Sequence, residues 1–130
     1  MKKFTLMFLV TCFAMTTAQA DPIYGIWQTI GDDNGNYGHI EIKDCDGTIC
    51  GVLIKSFNSS GKQIESPNVG KKLIWDMQAN GDGKYGGGKA WSPDRDKTYS
   101  SKLALVGDNL TVTGCVLIFC RDGGTWIRTK

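Results

Sequence analysis

Long apolar runs are missing beyond residue 20, histidine occurs once, and proline three times in 130 residues. Each scarcity excludes something. A helix needs about 18 consecutive apolar residues to cross a bilayer, so positions 21–130 contain no transmembrane segment. With His39 as its single imidazole, the chain has one candidate general base of that kind, and no G-x-S-x-G elbow accompanies it. An excess of one charge is missing too. Lys2 and Lys3 account for the whole difference between 15 basic and 13 acidic residues, so positions 21–130 are formally neutral. Nucleic-acid binding requires clustered cations to neutralise phosphates, and that function class is set aside.

What is present begins with an export signal. Lys2 and Lys3 form a charged start, positions 4–14 an apolar stretch, and Ala18-Gln19-Ala20 a small-residue cleavage site, in the order of a secretory leader. Cleavage after Ala20 leaves one domain, residues 21–130, in the periplasm or outside the cell. The competing reading makes Cys12 a lipid-modified cysteine, against which Thr11 is a poor preceding residue. Four cysteines remain in the domain, Cys45, Cys50, Cys115 and Cys120. An even number in a small exported chain reads as a disulfide framework. Because both pairs share the spacing C-x4-C, we expect Cys45 to bond Cys50 and Cys115 to bond Cys120. Asp46-Gly47-Thr48-Ile49 suits a four-residue hairpin loop with the cysteines opposite one another. Val116-Leu117-Ile118-Phe119 is wholly apolar, and the expectation there is a loop tucked inward or a bulged crossing. A zinc site is disfavoured by the wide spacing and the oxidising compartment, and no C-x-x-C redox pair exists.

All 17 glycines lie beyond residue 20, where no stretch keeps helical periodicity free of Gly or Pro for about ten residues. Short alternating runs recur instead, at 24–30, 37–43, 48–55, 71–77, 84–91, 97–106, 109–116 and 124–129. Turn chemistry separates them, as at 31–36 and Gly107-Asp108. Links this short pair neighbours antiparallel, since parallel crossovers take a dozen residues or more. The expected fold is therefore all-β, a small antiparallel meander of eight strands. Closing it into a barrel removes two free edges; a β-sandwich is the runner-up. The one long irregular segment, 56–70, is polar apart from Phe57, Ile64 and Val69 and reads as a lid, a binding loop or an idle one.

The chain ends carry the most informative pattern. Gly25-Ile26-Trp27 opens the first strand and Trp126-Ile127-Arg128 lies in the last. In a closed barrel these strands are neighbours, and the Arg128 guanidinium can cover the Trp27 ring as a structural clasp. Trp75, Tyr85, Trp91 and Tyr99 fall on three consecutive expected strands, where they either fill the core or line one concavity for a flat or apolar ligand. Other patterns are emptier. Gly81-Asp82-Gly83-Lys84-Tyr85-Gly86 matches G-x-G-x-x-G without a strand-turn-helix unit around it. The acidic turns at 32–36 and 76–83 do not complete a calcium loop, and no metal or cofactor is expected. Asp76, Asp94 and Asp96 are the carboxylates that a hydrolase would have to use.

Taken in order, Gly25-x-Trp27, Cys45 with Cys50-Gly51, Gly88 before Trp91-x-Pro93, Tyr99-x-x-Lys102-Leu103, Gly114-Cys115 with Cys120, and Trp126-x-Arg128 resemble the exported bacterial family of domain of unknown function 2147 across essentially all of residues 21–130. That resemblance implies no activity and no catalytic residue. More distantly, Gly25-x-Trp27 with a closing Arg128 looks like the lipocalin and calycin pattern, in which a first-strand Trp packs on a last-strand Arg. The chain departs from lipocalins in being short and lacking a C-terminal helix. The functional expectation is a small non-enzymatic envelope module that binds an apolar or aromatic molecule, or an envelope component, at the barrel mouth near Trp75, Trp91 and Tyr99. A structural or interaction protein with a packed barrel is the alternative, and a carboxylate hydrolase the third reading.

Overall fold

A computed structural model of the chain describes residues 20–130; the leader and Cys12 lie outside them. Nine strands follow in order: β1 (Gly25–Gln28), β2 (Tyr37–Cys45), β3 (Thr48–Phe57), β4 (Gln63–Ile64), β5 (Lys72–Gly81), β6 (Lys84–Ser92), β7 (Lys97–Val106), β8 (Asn109–Val116) and β9 (Phe119–Arg128). All pairings are antiparallel, and β1 lies between β2 and β9. With β2 also paired to β3, the sheet closes into an eight-stranded barrel, β4 being a short extra strand on β3. The barrel was expected, and the sandwich is excluded.

Turn residues explain the meander. Asp46-Gly47 and Asp82-Gly83 both take positive φ, at 56° and 96° and at 54° and 72°. These left-handed pairs match the twist of the strands they join and are accessible chiefly to Gly, Asn and Asp. The G-x-G-x-x-G match therefore lies on a hairpin, with Gly81 opposite Lys84. Two-residue turns also join β7 to β8 and β8 to β9.

Several expected bounds shift. β9 begins at Phe119 rather than near residue 124, because Gly123-Gly124 sits at a bulge opposite Thr111–Thr113 and does not end the pairing. Segment 56–70 is not uniformly irregular. The chain turns at 58–62 and pairs Gln63 and Ile64 back onto Phe57 and Ser56. Asn58 holds that turn, its Oδ1 accepting from the Ser60 and Lys62 amides and the Ser60 hydroxyl at 3.1, 3.0 and 2.8 Å.

Both disulfides join the expected partners, but their loops are exchanged in character. Cys45 pairs with Thr48 across a two-residue turn, so its bond to Cys50 runs diagonally. Cys115 stands directly opposite Cys120, with Val116 opposite Phe119, and the apolar link neither tucks inward nor bulges.

Inward positions alternate along each strand and fill the barrel. Ile23, Trp27, Ile40, Ile42, Ile74, Met77 and Leu110 are all at most 1 % exposed, and Leu53, Leu103, Val112 and Trp126 pack with them. Gly51 shows how tight the packing is. A Cβ there would lie 2.8 Å from Ile74 and 2.9 Å from Ile40, inside van der Waals contact.

Candidate functional site

One end of the barrel is plugged by its own N-terminal segment. The Trp27 indole donates to the Ile23 carbonyl at 2.9 Å, fixing Ile23 beneath it, fully buried. Arg128 covers the other face of this corner with its guanidinium carbon 4.3 Å from the Trp27 ring centroid. Its three nitrogens are all engaged: Nη1 with the Tyr24 carbonyl at 2.9 Å, Nη2 with the Pro22 carbonyl, and Nε with Asp108 at 3.0 Å. A planar fork can hold three acceptors while stacking on an aromatic face, which an ammonium cannot do. Gly25 has φ of 144°, and a Cβ there would strike the Lys130 carbonyl and stand 2.9 Å from Arg128 Nη1. Trp126, 7 % exposed, belongs to the core on the adjoining strand. Asp21 closes the plug by accepting from the Tyr85 hydroxyl and from the Ile23 amide. Burial, and then this hydrogen bond to a carboxylate, push the Tyr85 phenol well above its ordinary range, so it is a fixed donor at any physiological pH.

Trp75, Tyr85, Trp91 and Tyr99 do not share one concavity. Cross-strand partners lie on the same side of a sheet. Tyr85 pairs with inward Leu103, and Tyr99 with Ala90, itself paired to buried Ile74. Trp75 instead shares a row with exposed Lys89 and Ser100, and Trp91 pairs with exposed Thr98. By register the two tryptophans fall on other rows than the two tyrosines, and Trp91 packs against the edge of the core. Bulges in β5 and β6 defeat simple alternation here, with Asp76 and Gly87 in left-handed conformation. Tyr85 belongs to the plugged end, whereas Tyr99 lies against Gly114 toward the other end, its Cγ 3.5 Å from where a Cβ would stand.

The concavities are on the outside. A cleft of about 580 Å³ lies between the C-terminal part of β3 (Ile54, Lys55, Ser56) and the returning arm 63–69, lined by Gln63, Ile64, Glu65, Ser66, Pro67 and Val69. The arm is anchored at both ends, by β4 on β3 and by reciprocal backbone bonds of Leu53 with Gly70 and Lys71 at 2.8 and 3.0 Å. Lys71 then reaches over the Trp91 ring, its ammonium 5.4 Å from the centroid. Around the barrel from this cleft, a smaller concavity of about 200 Å³ is lined by Ile26, His39, Ile54, Lys55, Thr129 and Lys130. His39 lies against Phe57, which stacks on Tyr37 at 5.1 Å. Partial burial, and then the Lys55 charge, lower the His39 pKa, so its ring is neutral near pH 7.

Of the acidic candidates, Asp94 and Asp96 lie in the β6–β7 turn, and Asp76 lies within β5 at a left-handed φ of 57°. Asp94 accepts from the Ser92 hydroxyl at 2.6 Å, and chiefly that bond holds its carboxyl below the ordinary range. A glycosidase acid needs the opposite displacement. Asp96 accepts from the Trp91 indole at 2.9 Å. Among the described residues, no three His, Cys, Asp or Glu side chains cluster as metal ligands do.

Comparison with known families agrees with this architecture. The model of a family described as "Uncharacterized protein conserved in bacteria (DUF2147)" matches residues 25–128, from the glycine of the first strand to the arginine of the last. The chain belongs to DUF2147. No curated protein matches this DUF2147 chain. A solved structure similar to it is described as protein HP1028 from the human pathogen Helicobacter pylori, belonging to the lipocalin family. It shares 20 % identity and a TM-score of 0.67 over 85 % of each chain. The two share a fold, and for DUF2147 that fold is a lipocalin-like closed barrel.

Proposed function

We propose that this DUF2147 chain is an exported, non-enzymatic binding module of the bacterial envelope, taking a small amphipathic molecule in the cleft between β3 and arm 63–69. The single observation that carries this reading is the cleft itself. Its volume, about 580 Å³, lies within the 300–1,000 Å³ common for small-molecule sites. Ile54, Ile64, Pro67 and Val69 offer apolar surface, and Lys55 and Ser56 offer donors to a polar head. Both ends of the arm are held by backbone pairing, so little ordering entropy opposes occupation. Two disulfides suit an oxidising, extracytoplasmic compartment. Tyr99 and Trp91 contribute to packing near this end, and the filled interior supports an external site over one inside the barrel.

The reading is tested by calorimetric titration with medium-chain fatty acids, phospholipids and cell-wall fragments. At least one of these binds with one-to-one stoichiometry, and Ile64→Asp weakens it at least tenfold without lowering the melting temperature. Absence of binding by all three classes would leave the packed-barrel interaction protein as the better account.

A further inference from the structure

The β8–β9 hairpin ends in four exposed apolar residues: Val116 57 %, Leu117 91 %, Ile118 87 % and Phe119 74 % exposed. Leu117 and Ile118 are the turn itself, and Leu117 sits at φ 57°. A bulky side chain seldom occupies that left-handed conformation. The other two-residue turns of this chain use Asp46-Gly47, Asp82-Gly83 and Gly107-Asp108. Here alone among them the sequence carries strain and exposed hydrocarbon together, a combination that folding does not require.

We propose that this tip inserts into the apolar layer of a lipid bilayer and docks the barrel on a membrane surface. The geometry selects that occupant. Val116 and Phe119 face each other across the ladder while Leu117 and Ile118 form the turn, so apolar atoms surround a convex point instead of making one flat face. A flat protein partner covers one side of such a point; a fluid apolar phase covers every side. Pairing through Val116 and Phe119 already satisfies the strand amides below the turn, as residence in hydrocarbon requires. The Cys115–Cys120 bond fixes the base of the tip, so little flexibility is lost on insertion. Ile30, 53 % exposed, and Val69, 44 % exposed, lie at the same end of the barrel. At the opposite end, Val106 and Ile127 share an outer row but are separated by Asn109.

Charges near the tip cancel. Arg95, Lys97 and Arg121 are balanced by Asp94, Asp96 and Asp122, all exposed. Insertion is accordingly driven by apolar burial, and counterion effects are small.

The experiment is flotation of residues 20–130, which hold every strand of the barrel, with vesicles of phosphatidylethanolamine and phosphatidylglycerol. The protein floats with the vesicles, and raising salt leaves the bound fraction unchanged. The double variant Leu117→Asp, Ile118→Asp lowers that fraction at least tenfold without lowering the melting temperature. In a second readout, a tryptophan placed by Ile118→Trp shifts its emission to the blue and is quenched by brominated lipid. Flotation of the double variant equal to that of the parent overturns the proposal. So does a parent chain that stays soluble, release by salt, or a vesicle-independent dimer that the double variant abolishes.

Discussion

Arg128 makes more contacts than any other charged residue at the closed end, and its role there is separable from its charge. Its side chain is 22 % exposed and engages two carbonyls, one carboxylate and the Trp27 ring. Arg128→Ala leaves the Tyr24 and Pro22 carbonyls to water and uncovers the ring, and unfolding in urea will show a loss of about 1–3 kcal/mol. Arg128→Lys recovers less than half of this, because one ammonium cannot serve the three acceptors and the ring together. His39 sets a pH dependence at the same scale. Its folded pKa lies below the ordinary value, so the unfolded chain binds the proton more readily. Stability is therefore full above the unfolded value, roughly pH 6.5, and declines as pH falls through the window between the unfolded and folded pKa values. Thermal unfolding as a function of pH will show this slope, and His39→Gln will flatten it. The clasp is legible in the sequence because an Arg and a Trp at opposite chain ends have one evident way to meet in a closed sheet. The contact of His39 with Phe57 rests on strand register, which no sequence pattern displays.

At the scale of elements, hairpins were readable wherever the turn needs a left-handed residue and the sequence supplies Gly beside Asp. The β8–β9 turn was misread for the same reason. Leu117-Ile118 carries no turn signal, so the expectation is a loop tucked inward or a bulged crossing, while the register of Cys115 with Cys120 puts these residues at a tip. The bulges that split Trp75 and Trp91 from Tyr85 and Tyr99 were equally illegible, since one extra residue reverses every later side chain. Segment 56–70 looked featureless because β4 is two residues long and the anchoring at Leu53 is made by backbone alone. Two changes test the tip as an element. Leu117→Asn relieves the left-handed strain and will raise stability by about 0.5–1 kcal/mol. Replacing Cys115 and Cys120 together by serine will lower it by about 2 kcal/mol, the chain-entropy value for so short a ring. Both are read from urea unfolding curves, with midpoint and denaturant slope fitted separately because loss of a cross-link also alters the unfolded chain.

For the whole molecule, fold and function part company. Closure through β1 and β9, the antiparallel meander and the disulfide partners all follow from patterns that the sequence displays. The location of a binding surface does not, because it depends on how completely the interior is filled. Small residues are placed where neighbouring side chains already occupy the space, as at Gly51 between Ile40 and Ile74. A lipocalin-like outline thus encloses a packed core that includes Trp27, Leu110 and Met77, and for that reason the proposed binding site lies on the outer surface. Backbone amide shifts in an NMR titration with a monomeric medium-chain fatty acid test that claim most directly. The account predicts shifts concentrated at 54–56 and 63–69, with Leu103, Leu110, Val112 and Trp126 unmoved. Shifts centred on those four core residues would contradict it.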